Sequence, residues 1–69
     1  MMKLKDLIEV LDRDTVICVC DDLGPHTEVL PISQISVKTL INELDRTVER
    51  VYFDSADNSI TIELSDYES

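Results

Sequence analysis

Leu4, Leu7, Ile8 and Leu11 fall at i, i+3, i+4 and i+7, with Lys3, Asp6, Glu9 and Asp12 on the other side. That is the apolar stripe of an amphipathic helix, and it predicts helix over residues 3–12. Val37, Leu40, Ile41 and Leu44 repeat the spacing and predict a second helix over 37–45, with Ser33 or Ser36 as its cap. Between them the period changes. Thr15 to Cys20 is a β-branched and apolar run without a polar break, which predicts a strand covered on both faces and central in its sheet. Asp21-Asp22-Leu23-Gly24-Pro25 is turn chemistry. His26–Ile32 is a weaker strand pattern, confined to an edge because Pro31 has no N–H for a ladder.

The strongest local signal lies between Arg50 and Ser65. Ile60, Ile62 and Leu64 alternate with Ser59, Thr61, Glu63 and Ser65, the period of a strand with one buried face. Asp54-Ser-Ala-Asp57-Asn58-Ser is a turn sequence, because short polar side chains bond the nearby backbone and tolerate unusual φ. A loop at 55–58 pairs Phe53 with Ile60 and Val51 with Ile62 on one side. It pairs Tyr52 with Thr61 and Arg50 with Glu63 on the other. Continuing that register would turn Glu49 inward opposite Leu64, so a bulge near 49–50 is expected to place Val48 inside instead. Val51, Phe53, Ile60, Ile62 and Leu64 are the expected packing face for both helices.

The order is α-β-β-α-β-β. The expected architecture is α+β: one small domain over residues 1–69, a four-stranded, mainly antiparallel sheet with both helices on one face, and a frayed tail at 66–69. The other sheet face is then open, exposing apolar side chains of the first strand beside Tyr52.

Charge changes the picture more than composition does. Fifteen acidic residues face six basic ones, for a net charge of -9, and between residues 47 and 69 six carboxylates face the single cation Arg50. A surface of that sign excludes direct binding to nucleic acid or to anionic membrane, which both require cations, and suits a basic protein partner. The same charge also serves solubility alone. Only two cysteines are present, at an i, i+2 spacing, which points to a reducing, cytoplasmic setting rather than to a disulfide framework. The sequence contains no apolar run long enough to span a bilayer.

Candidate chemistry is sparse. Cys18, Cys20 and His26 fall one ligand short of a structural zinc site, and two small thiols on a strand are the simpler reading. His26 stands in no recognisable nucleophile motif. Asp54 to Asn58 lacks both the alternating spacing and the closing glutamate of a calcium loop. No cofactor, metal or enzymatic activity is expected.

Met2-Lys-Leu-Lys-Asp-Leu-Ile-Glu-Val-Leu-Asp-Arg-Asp-Thr-Val-Ile17, together with Val48–Phe53 and Ile60–Leu64, resembles small acidic proteins of phages and prophages of low-GC Gram-positive bacteria. These open on a Lys-Leu-Lys-Asp-Leu helix and close on a hairpin of V-x-x-I-Y / L-x-I-x-I type; here Tyr52-Phe53 stands in for the Ile-Tyr pair. The resemblance implies a setting, the cytoplasm of a bacterial host, in which small acidic proteins include anti-CRISPR and anti-restriction inhibitors that look like DNA to their targets. The implied partner is a basic nucleic-acid-binding protein. Charge clustering assigns the contact to Glu49, Asp54, Asp57, Glu63, Asp66 and Glu68, with Tyr52 beside them. A domain of this length is roughly 28 Å across, and duplex DNA of that length carries on the order of 16 charges. A net charge of -9 therefore imitates a short stretch or one strand. The alternative is a structural or interaction module that forms a homodimer, or docks, through the open sheet face.

Overall fold

A computed structural model describes residues 2–65. Asp66, Glu68 and the rest of the expected tail lie outside the described residues. The N-terminal stripe forms α1 (Leu4–Val10), where the Asp6 carboxylate accepts from the Lys3 N–H at 3.4 Å and closes the first turn. Leu11 is already extended, and a turn from Asp12 to Thr15 leads into β1 (Val16–Asp21). Among the described residues four further strands follow: β2 (Gly24–Pro25), β3 (Leu30–Pro31), β4 (Val48–Asp54) and β5 (Ser59–Leu64). A 3-10 turn (Ile32–Gln34) and α2 (Val37–Leu40) sit between β3 and β4.

The class is α+β, and the sheet is mixed. Its order is β2-β1-β5-β4, with β3 also on β1, so β1 is central as its apolar run predicts. Three pairings are antiparallel; β1 and β5 run parallel, with Ile17 opposite Ile60 and Val19 opposite Ile62. The expected continuous strand over 26–32 is instead the two short pieces β2 and β3, which pair with the two ends of β1. Between them the His26 N–H donates to Val19 O at 2.7 Å, and Thr27 Oγ1 accepts from the Val19 N–H at 3.1 Å. A side-chain hydroxyl thus replaces a backbone carbonyl in the ladder, where flanking prolines leave little regular strand to build.

The β4–β5 hairpin has the register read from the sequence: Phe53 opposite Ile60, Val51 opposite Ile62, Tyr52 opposite Thr61 and Arg50 opposite Glu63, with a bulge between Val48 and Arg50. Asn58 takes a left-handed φ of 55°, which asparagine tolerates, and closes the four-residue turn. At its start β4 is flanked by the N-terminus: the Val48 N–H donates to Met2 O at 2.9 Å and Lys3 bridges to Thr47.

Leu4, Ile17, Val19, Ile32, Leu40, Ile62 and Leu64 form the buried core, with Leu7, Ile8, Leu11, Ile35, Leu44, Val48 and Ile60 packed around it. Ile17, Val19, Ile60, Ile62 and Leu64 share one sheet face, so both helices cover that face. Two expectations fail on it. The second helix makes one α-turn, capped by Ser36 Oγ accepting from the Lys38 N–H, and then continues as turns. Leu40 and Glu43 face inward while Val37 and Ile41 are exposed. The shortened helical layer therefore covers β1 and β5 and stops short of β4. Val51 and Phe53, expected in the core, are 45% and 61% exposed.

Truncation should report that boundary. Ile62→Ala should cost about 2–5 kcal/mol, the range for deleting a buried aliphatic side chain, whereas Val51→Ala should stay within about 1 kcal/mol. Urea denaturation of the two variants checks the difference.

Candidate protein-binding face

The parallel pairing decides where the carboxylates gather. Both β1 and β5 end at the same end of the sheet, beside the start of β4. Asp21, Asp22, Glu49 and Glu63 accordingly line one shallow depression of about 170 Å³, together with Cys20 and Leu64. The opposite end carries the hairpin turn with Asp54 and Asp57 and the turn with Asp12 and Asp14 that leads into β1. Of the residues assigned from charge clustering, Glu49 and Glu63 come together. Asp54 and Asp57 stand apart from them, roughly 13 Å along the hairpin at ~3.3 Å per residue. Asp66 and Glu68 lie outside the described residues. Asp21 and Asp22 joined this group only through a pairing between distant segments, a signal no local pattern carries.

The side chains differ in how far they are committed. Glu49 is exposed at the bulge and Asp57 at the turn. Asp54 Oδ1 accepts from the Ala56 N–H at 2.9 Å, which holds the turn. Glu63 is half-buried; it accepts from the Tyr52 hydroxyl at 3.0 Å and lies 3.8 Å from Arg50 Nη1. Arg50 is the one cation on the five strands. The other face-lining groups sense the carboxylates around them. Glu63, as hydrogen-bond acceptor, raises the Tyr52 phenol above its ordinary range. Burial raises the Cys18 and Cys20 thiols, with Asp57 and Asp54 adding to the first and Glu63 and Asp21 to the second.

Asp21 has a different role. Its side chain is buried, and Oδ2 accepts from Arg46 Nη1 at 2.6 Å and from His26 Nε2 at 2.7 Å, while Oδ1 accepts from the Leu23 N–H at 2.8 Å. Arg46 Nη2 donates to the Ser65 carbonyl, and His26 Nδ1 lies 3.9 Å from Glu43 Oε1. The clamp joins the end of β1, the turn after α2 and the end of β5. It explains why Glu43, a polar position of the expected second helix, and Arg46 just beyond it are buried. Arg46 foremost, and His26 after it, hold the Asp21 carboxyl far below its ordinary value of 3.8, against the opposing effect of burial.

Cys18 Sγ lies 3.7 Å from the Thr27 carbonyl and His26 is committed to Asp21, so these three potential ligands do not converge. Among the described residues no group of three or more His, Cys, Asp or Glu side chains is placed to hold a metal ion. No helix among them is long and apolar enough to cross a membrane. Comparison with protein-family models, curated proteins and solved structures returned no match.

Removing one partner of the clamp leaves a buried charge uncompensated. Arg46→Met should cost on the order of 3–5 kcal/mol, a large part of the stability of a small domain. The Asp21 contribution has a defined sign. The unfolded chain binds this proton at higher pH than the folded chain, so the stabilisation is complete well above pH 3.8 and is lost as pH falls below it. Urea midpoints measured across the acid range should fall with pH in the wild type. Asp21→Asn should start lower at neutral pH and show a shallower fall.

Proposed function

We propose that this chain is a non-enzymatic inhibitor that binds the basic surface of a nucleic-acid-binding host defence protein, of the CRISPR or restriction type, with carboxylates where nucleic-acid phosphates would lie. On this reading it acts in the cytoplasm of a bacterial host. The observation that carries the proposal is the gathering of carboxylates at both ends of one sheet that bears a single cation. The dimensions agree with it. The long axis is 33 Å, a length over which one strand of duplex DNA carries about ten phosphates at one per ~3.4 Å. The net charge of -9 is close to that number. The separation of the two acidic ends fits contact at two points along a groove, with Tyr52 and the half-buried Val16, Cys18 and Cys20 between them. That intervening strip also keeps a second reading in view, docking through the open face by apolar contact.

The test is binding of the purified protein to host RNA-guided nucleases and restriction endonucleases, with duplex DNA as competitor. Expected are displacement by DNA, affinity that falls steeply with salt, and loss of binding in a Glu49→Lys, Asp57→Lys, Glu63→Lys variant that still folds. Binding that is indifferent to salt, and that is lost instead on Val16→Ser and Cys18→Ser, would establish the apolar docking mode in its place.

A further inference from the structure

Strand β4 is the outer strand of the sheet, and its outer edge is free over only part of its length. The N-terminus occupies its start through Met2 and Lys3, and the bulge at Glu49 interrupts the strand immediately afterwards. What remains is Arg50-Val51-Tyr52-Phe53-Asp54, to whose outer edge no strand is paired among the described residues. An unpaired row of backbone N–H and C=O groups is a template for another strand, and proteins usually blunt it with proline, lysine or a covering element. Neither proline nor lysine occurs in these five residues. Their side chains add an apolar strip, with Val51, Tyr52 and Phe53 between 43% and 61% exposed.

The five residues are self-complementary about their centre. An antiparallel copy placed on a two-fold axis at Tyr52 sets Val51 opposite Phe53 of the second copy and Arg50 opposite its Asp54, twice each. Directly opposed residues of an antiparallel pair point to the same face. The two apolar pairs therefore close over the helix side, where the helical layer fails to reach, and the two ion pairs lie on the open side. A shift of the axis by one residue, to Val51, would instead set Glu49 against Phe53 and Val48 against Asp54, and would use the bulged residue. The bulge and the N-terminal cover oppose that shift. A shift the other way, to Phe53, would set Tyr52 against Asp54 and Val51 against Ser55 in the turn, so the apolar and charge pairing is matched at Tyr52.

We infer that β4 pairs with β4 of a second copy of this chain, in the register centred on Tyr52, to form a two-fold dimer with a continuous sheet. The inference is independent of the proposed inhibitory role, since it needs no other partner. The two also respond oppositely to salt. Two chains of charge -9 repel at long range, while exposed ion pairs contribute little. Screening of the repulsion makes dimerisation stronger as salt rises, whereas binding to a basic protein weakens.

Sedimentation equilibrium of the full chain from micromolar to millimolar concentration tests the dimer, with amide exchange of residues 50–54 as a site-specific readout. Expected are a mass that rises toward the dimer with concentration and salt, and exchange at 50–54 that slows in parallel. Arg50→Asp and Asp54→Arg should each weaken association by about tenfold, because each sets like charges opposite one another. The double variant Arg50→Asp, Asp54→Arg should recover it. A loss of fold in any variant is detected by circular dichroism, and Val51→Lys then supplies an edge block that leaves the hairpin turn untouched. A mass that stays monomeric at millimolar concentration overturns the inference. So does a dimer that keeps its strength in Val51→Lys, or one that shows no slowing of exchange at 50–54.

Discussion

Because β1 and β5 run parallel, each strand delivers its final residues to the same end of the sheet, and much of the molecule follows from that. A hairpin would have sent the end of β1 and the end of β5 in opposite directions, dispersing the carboxylates that follow them. Parallel pairing instead stacks Ile17 and Val19 on Ile60 and Ile62, building the centre of the core from two segments some forty positions apart. At the strand ends it brings Asp21 close to Glu63 and to the bulged Glu49. Like charges at that spacing need a counter-charge, and Arg46 provides it from the turn after α2.

The clamp matters less as a source of net stability than as a constraint on alternatives. A buried ion pair gains little over well-packed apolar side chains, but a buried carboxylate separated from its partner is strongly unfavourable. Slippage of β1 on β5 by one residue would exchange the buried and open faces, and would also withdraw Asp21 from Arg46, which is tied to the end of β5 through the Ser65 carbonyl. Apolar patterning and charge pairing therefore penalise the same errors. Arg46 also bonds the Ser65 carbonyl, so one guanidinium fixes the ends of both central strands relative to the helical layer.

What the sequence made legible was local, and what it hid depended on distant segments. The hairpin register, the bulge beside Glu49 and the Ser36 cap are each determined within a few residues, by alternation, turn chemistry and a single hydroxyl. The central position of β1 was legible too, from its unbroken apolar run, but the cover expected on both faces is present on one: Ile17 and Val19 are buried, while Val16, Cys18 and Cys20 stay half-buried on the open face. Strand direction was not, since a period of two reads identically in either sense. The second helix misled for a related reason. Val37, Leu40, Ile41 and Leu44 make a regular stripe, but the buried demands of Asp21 and His26 draw Glu43 and Arg46 inward, rotating Val37 and Ile41 to the surface. The exposure of Val51 and Phe53 then follows from a helical layer one turn too short, a quantity no alternation pattern contains. A trace of the clamp was nevertheless present: an aspartate directly after a wholly apolar strand, in a chain with only six cations to meet its needs.

The acidic ends and the free edge occupy different parts of the same sheet, and this separation bears on how they combine. In a dimer about Tyr52, Asp54 and Arg50 neutralise one another across the axis, while Asp22, Glu49, Asp57 and Glu63 keep clear of it. Continuous pairing places the two open faces on the same side. The antiparallel arrangement sets the depression of one copy beside the hairpin turn of the other, so carboxylates recur along the joined sheet instead of collecting in one region. Pairing also removes the sheet's single exposed cation from play by engaging it with Asp54. On the proposed reading, the face offered to a basic partner thereby becomes longer and more uniformly negative than in one copy. The apolar residues that make β4 a liability in the monomer are the same ones that, once paired, leave that face charged and without an open edge.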